Sequence, residues 1–251
     1  MFKRSLLVAV CCVMAAGCGG SENDEIISNL IQAGFPANDI QVYDGLVYVG
    51  HDAHVTLEAS REMIEPAGAG EEQYRTNNLV SLSQTKICVN PTSSFNSYSR
   101  LSAGLDGAIA NYNSLGLAFT FVRGPATGCS ANITARTANG VGGSSGFPKG
   151  GKPYGTINIG VGLQSYSVGV NTHVATHEIG HTVGLRHSDY YNRSISCGSG
   201  GDEGSSGVGA IHIPGTPTTA TVGGSIMNSC FRSSESGNWS SSDRTALQTL
   251  Y

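Results

Sequence analysis

The sequence predicts an α+β fold, and three observations predict it. Leu101, Leu105, Ile109 and Tyr112 recur at the three- and four-residue intervals that line one face of a helix. Leu117, Phe119 and Phe121, and again Ile157, Ile159 and Val161, alternate with other residues as in half-buried strands. From His177 to Val183 the spacing is helical again, with Ile179 and Val183 on one side and His177 and His181 on another.

From the N-terminus, Lys3 and Arg4 precede an apolar run from Leu6 to Ala16 that is too short to span a bilayer and is organised like a signal peptide over residues 1–18. Ala15-Ala16-Gly17-Cys18 resembles a bacterial lipobox, so export with lipidation of Cys18 is expected, simple cleavage and release being the alternative. Residues 19–85 read as a small α+β segment and a linker. Ser21 and Asp24 stand in capping-box spacing ahead of Ile26, Ile27, Leu30 and Ile31, and Gly34 offers a stop, which predicts a short helix. In residues 40–49 two runs rich in β-branched and aromatic side chains flank Asp44-Gly45, the signature of a hairpin. Residues 66–76, charged and glycine-containing, are the expected linker or processing region.

The main domain spans residues 86–251. Its first long helix should cover residues 99–115 and end at Gly116, despite Gly104 and Gly107, which weaken a helix. The glycine- and serine-rich stretches 123–154 and 188–224 are expected to be surface loops. Ser240 and Asp243 repeat the capping-box spacing, and Ala246, Leu247 and Leu250 share one side of the short terminal helix that follows.

A chain of 251 residues that is 39% hydrophobic and 13% charged has enough apolar material for one sizeable domain plus accessory segments. Its net charge of -4 argues against nucleic acid as a partner. Setting aside Cys11, Cys12 and Cys18 leaves Cys88, Cys129, Cys197 and Cys230, an even set suited to two disulfides in an oxidising compartment. Three connectivities are open. Cys197 with Cys230 is favoured because it would close the long polar loop after residue 187, leaving Cys88 with Cys129. Zinc-thiolate binding is a weaker reading, since the chain has no CxxC pair.

The chemistry is concentrated in His177-Glu178-Ile179-Gly180-His181-Thr182-Val183-Gly184-Leu185-Arg186-His187. On a helix His177 and His181 aim at one metal ion, and Glu178, one residue further round, stays out of the coordination sphere yet near the water beside it. Gly184 accepts a left-handed conformation, which stops the helix and swings His187 in as third ligand. A helix end whose histidines merely pack is the bland alternative, and five fixed positions of HExxHxxGxxH count against it. Ser225-Ile226-Met227-Asn228 supplies the downstream methionine turn that this extended pattern needs, with Met227 as an apolar floor under the metal.

These motifs, with the stretch Ala210-Ile211-His212-Ile213-Pro214-Gly215-Thr216-Pro217, resemble the bacterial dual-action HEIGH metallopeptidases, a family of metzincin zinc peptidases, over roughly residues 79–251. The resemblance implies a zincin-like catalytic domain with a twisted mixed sheet, an active-site helix and a C-terminal helix, preceded here by a pro-region. It implies one catalytic Zn2+, a protein or peptide substrate, and a sheet edge just before the metal helix that holds substrate as an added strand, for which residues 155–161 are the candidate, an ordinary paired strand being the alternative. Astacins and serralysins carry a tyrosine two residues after the turn methionine; here Ser229 stands there, so that fifth ligand is ruled out. Gly50-His51-Asp52 is similar to the FxGD stretch with which astacin pro-peptides block their zinc, so Asp52, or His51, is a candidate inhibitory ligand, against the alternative of a solvated loop.

The expected function is therefore a secreted or surface-anchored, monomeric zinc endopeptidase, made as a zymogen, with Glu178 as general base. The alternatives are a non-catalytic surface lipoprotein that uses the fold for binding, and a metal-dependent hydrolase of another bond. Asp189, Asp202 and Glu203 could hide a calcium site, although no calcium motif is present. His51, His54, His173 and His212 are read as structural or solvated, and Arg186 and Asp189 as surface charges.

Overall fold

The computed structural model describes residues 22–64, 73–204 and 210–251. The leader, Cys18, the proposed cap Ser21 and most of the expected processing region lie outside them. In chain order the elements are α1 (Glu22–Gln32), β1 (Gln41–Tyr43), β2 (Leu46–Val49), β3 (Ala53–Val55), α2 (Leu57–Met63), β4 (Tyr74–Arg75), β5 (Lys86–Pro91), α3 (Ser93–Ser97), α4 (Ser99–Asn113), β6 (Thr120–Arg123), β7 (Ala131–Ala138), β8 (Gly143–Gly146), β9 (Thr156–Gly160), α5 (Val168–Thr182), α6 (Ser194–Cys197), β10 (Ile211–His212) and α7 (Ser241–Leu250). No helix among the described residues is long and apolar enough to cross a membrane.

Eight strands form one mixed sheet in the order β1-β2-β3-β8-β9-β7-β5-β6. The β5–β6, β5–β7 and β7–β9 pairs are parallel, and β8 runs antiparallel to β9. The fold class is thus the expected α+β type with a mixed sheet and helices. Residues 155–161 are not an edge: β9 is hydrogen-bonded on both sides, and Val161 already belongs to a 3-10 turn. Two of the expected strand residues on the other run, Phe119 and Phe121, are buried, but pairing begins only at Thr120.

The stretch 123–154, expected as loop, contains β7, a central strand, and β8. Composition misled because β8 reads Gly-Ser-Ser-Gly; its extended form comes from neighbours on both sides, not from propensity.

α4 and α5 pack across one face of the sheet, and Gly104 and Gly107 are the reason they can lie so close. A Cβ on Gly104 would come within 2.6 Å of Asn171 Cβ, and one on Gly107 within 2.5 Å of Thr172 Oγ1. Tyr112 fills the same interface and its hydroxyl donates to Thr176 O at 3.0 Å. The main core joins these helices to the sheet and to α7 through Ile133, Ile157, Ile179, Val183, Met227 and Leu247. α7 starts with the expected capping box, in which Ser240 Oγ accepts from Asp243 N and Asp243 accepts from Ser240 N.

Residues 22–64 carry a second core of Ile26, Leu30, Phe35, Val47, Val49, Val55 and Met63, closed by Phe147 of the main domain. The β1–β2 hairpin turns at Asp44 and Gly45, both at positive φ, while Ile31, expected on the apolar face of α1, is exposed. β3 joins the main sheet directly, pairing parallel with β8 through Ala53↔Ser145 and His54↔Gly146. The far end of the supposed linker is likewise integral: β4 pairs with β10, and buried Gln73 donates from Nε2 to Ser225 Oγ at 3.1 Å and Asp243 Oδ1 at 3.2 Å. Both disulfides form as favoured, Cys88–Cys129 and Cys197–Cys230. The second ties α6 to the chain just beyond Met227.

Candidate active site

α5 begins at a Ser167 cap and carries His177 and His181 one turn apart before ending at Thr182; just beyond its Val183 cap stands Gly184, whose φ of 103° only glycine adopts cheaply. A Cβ there would also strike Asn78 O. The chain then reverses, Leu185 N donating to Gly180 O at 3.0 Å, and His187 arrives beside the other two rings.

Each ring is held from behind. His177 Nδ1 meets Ile226 O at 2.8 Å, His181 Nδ1 meets Leu185 O at 2.8 Å, and His187 Nδ1 meets Glu203 Oε1 at 2.7 Å. Those oxygens can only accept, so in the neutral rings the Nδ1 atoms carry the protons and the three Nε2 atoms are left facing one another as donors to a cation. The Nε2 atoms stand 3.1, 3.2 and 3.3 Å apart. Ligand nitrogens on a four-coordinate cation with bonds of about 2.0–2.1 Å sit roughly 3.3 Å apart. The donor set therefore fits a small divalent metal ion.

Asp52, from the turn between β2 and β3, supplies a fourth oxygen. Its Oδ2 is 3.1 Å from His187 Nε2 and 3.5 Å from His177 Nε2, and its Oδ1 is 3.6 Å from His181 Nε2. Among the described residues, Asp52, His177, His181 and His187 form the group of His, Cys, Asp or Glu side chains placed to hold a metal ion. His51 is not in it; the ring turns outward to Gln41.

The cluster attracts positive charge. Burial opposes a charge on His187, but Asp52 and Glu203 raise its pKa well above the ordinary value. Burial pushes His181 down to about 3. Burial also opposes charge on Asp52, yet His187 and His181 hold its carboxyl well below the usual range. Glu178 is raised well above its usual value by burial and then by the charge of Asp52.

Glu178 is 2% exposed and lies beside the backbone of β8, where a Cβ on Gly143 would come 2.5 Å from its Oε1. Ser145 Oγ donates to Glu178 O at 2.9 Å, fixing this turn of α5 to β8. Its Oε2 is buried with no hydrogen-bond partner in the protein, as suits a group that handles water or substrate. Met227 is fully buried under the helix, and a Cβ on Gly180 would come 2.6 Å from its Sδ, which accounts for the glycine within His177–His181.

Arg186 and Asp189 are not surface charges: both are buried. Arg186 Nη2 donates to Glu203 O at 2.8 Å, and its guanidinium lies 4.3 Å from the Phe35 ring centroid. Asp189 Oδ1 accepts from Ser229 N at 2.9 Å and Ser229 Oγ at 2.8 Å, joining the third histidine's loop to the methionine turn. With Glu203 on His187 and Asp202 accepting from Gly204 N, the three carboxylates weighed for calcium are engaged by protein donors. The sequence offered Glu203 only as a calcium candidate; its bond to His187, sixteen residues away in a glycine-rich stretch, carries no local signal. Of the other histidines, His54 bonds Tyr154 and His212 bonds Thr216, whereas His173, read from the sequence as structural or solvated, is buried in the wall of the cavity with neither ring nitrogen hydrogen-bonded and its Nδ1 3.7 Å from Glu235 Oε2.

The sequence model of the dual-action HEIGH metallopeptidases matches residues 47–251. The chain belongs to that family. The match begins some thirty residues before the motif resemblance did and takes in β3 and Asp52. Two solved structures of myroilysin are similar: one is 17% identical, covering 67% of this chain and 93% of that one at a TM-score of 0.43, and the other is 15% identical, covering 73% and 99% at 0.38. A comparison with curated proteins finds no match. As a metallopeptidase, the protein acts on protein or peptide substrates.

Proposed function

We propose that the protein is an exported zinc-dependent endopeptidase, made in a latent form that its own N-terminal segment blocks. The observation that carries this reading is the convergence of three buried imidazole Nε2 atoms beside Glu178, a carboxyl group with an oxygen free of protein partners. His177, His181 and His187 would hold the metal, and nitrogen donors in this number and spacing suit zinc. When bound, zinc polarises a peptide carbonyl and acidifies water, which offsets several kcal/mol of the barrier.

The chain's own groups do the rest. Glu178 takes a proton from the attacking water at its carboxylate and later delivers it to the departing amine nitrogen. Ser145 anchors the Glu178 main chain to β8, and the absence of a side chain at Gly143 leaves room for the carboxylate. Substrate would enter the cleft lined by Val141, Gly143, Val174, Glu178 and Phe231, a cavity of about 290 Å³. The side of β8 away from β9, paired here with β3, would take an extended peptide once β3 leaves. With Asp52 on the ligand cluster, residues 22–64 act as pro-region. The cut that releases them falls within residues 65–72, since Gln73 and β4 are bonded into the catalytic domain.

The leader and Cys18 point to export and a lipid anchor, and the paired cysteines suit an oxidising compartment. The test is chelator-sensitive cleavage of casein by the full chain, cut after folding, and by its Glu178→Ala variant. The variant should keep its metal and lose turnover; equal turnover at equal metal content refutes the role of Glu178, and chelator-insensitive or absent cleavage by both refutes the peptidase reading.

A further inference from the structure

Among the described residues of the cleft wall, Arg193 is a cation that the proposed mechanism does not use. Arg193, ahead of α6, lines the cavity with Asn228, Ser229 and Phe231. Its side chain is 12% exposed, and its Nε is buried without a hydrogen bond, 3.4 Å from Glu203 Oε1. Glu203 cannot balance it, because the same carboxylate faces Arg186 and accepts from His187. Ser229 Oγ is committed to Asp189, and Asn228 Oδ1 to Gly223 N.

Once Gly50, His51 and Asp52 are set aside, the described lining of the cavity holds Glu178 and Arg193 as its charged groups. Glu178 sits deep beside the histidines. The segment that now fills the cleft brings acidic groups with it: Asp52 lies in the cavity, and Asp39, 4% exposed, anchors the Gly50 backbone and interacts with Arg186. Its departure removes two carboxylates from this region and leaves Arg193 with Glu203, a carboxylate that also faces Arg186. A guanidinium with spare donors in a partly desolvated cleft pairs best with a carboxylate.

We propose that Arg193 is a specificity-determining residue that selects peptides with Asp or Glu flanking the scissile bond. This rests on the peptidase reading and on release of residues 22–64. Its loss should change which peptide is preferred, while leaving cleavage of neutral peptides in place.

The experiment uses the full chain, folded and then cut within residues 65–72, and a fluorogenic peptide series differing only by Glu, Gln or Lys at the positions flanking the cleaved bond. We expect kcat/KM for Glu over Gln to be about tenfold, as for one charge-assisted contact, and to fall with salt. Arg193→Gln should bring that ratio near unity, and Arg193→Glu should favour Lys. Binding of the Glu and Gln peptides to cut Glu178→Ala protein, read by fluorescence anisotropy, should show the same order without turnover. A Glu-to-Gln ratio that Arg193→Gln and Arg193→Glu leave unmoved, at equal metal content, overturns the assignment while the peptidase reading survives. A cut protein that hydrolyses neither the peptides nor casein overturns both.

Discussion

Replacing Glu203 by glutamine should weaken metal binding, although Glu203 touches no metal. The carboxylate accepts from His187 Nδ1 at 2.7 Å, faces Arg186 Nη2 at 3.4 Å and is 2% exposed on its side chain. Glutamine preserves the volume but has one acceptor and one donor end, so either His187 Nδ1 or Arg186 must face an N–H. A charge-assisted hydrogen bond contributes about 1.5–3 kcal/mol against about 1 for a neutral one, so the metal-free protein should lose roughly 1–2 kcal/mol. Freed from its anchor, His187 is a less basic and less well aimed ligand, and removal of such a partner lowers metal affinity by about 10–100-fold. Competition against a chromophoric chelator measures that Kd, and urea unfolding of stripped protein measures the stability. Affinity within about twofold of wild type would refute the claim that Glu203 holds the third ligand.

Further outcomes follow from the same contacts. Asp52→Ala in the uncut full chain should raise casein hydrolysis by about tenfold or more, because a tethered blocker acts at an effective concentration of order mM; unchanged latency would show that Asp52 is not the block. Gly104→Ala sets two effects against each other: helix propensity favours alanine by about 1 kcal/mol, whereas the clash with Asn171 should cost about 1–3 kcal/mol. Packing should win, so urea denaturation should give a less stable variant, and a more stable one would mean that α4 and α5 are not in the described contact.

What the sequence revealed was local. The His177–His187 pattern specifies its own geometry, because helix pitch and one left-handed glycine bring the three rings together. The Ser240–Asp243 cap, the hairpin at Asp44-Gly45 and both disulfides were legible for the same reason, each resting on neighbours in sequence or on the need to close one loop. The misread parts were those that distant contacts decide. Gly143–Gly146 has no strand propensity and is extended because β9 and β3 pair with it. Arg186 reads as a surface charge until Phe35 and Glu203 are seen around it. Gly104 and Gly107 look like helix defects and are the contact through which α4 meets α5.

Elemental analysis of the purified full chain, by mass spectrometry on the native protein, tests the central claim most directly. One zinc per chain in the wild type, lost in His177→Ala and His187→Ala and retained in Glu178→Ala, is the predicted pattern. Absence of a stoichiometric metal from folded wild type, or its full retention after both histidine substitutions, would contradict a metal centre built from His177, His181 and His187.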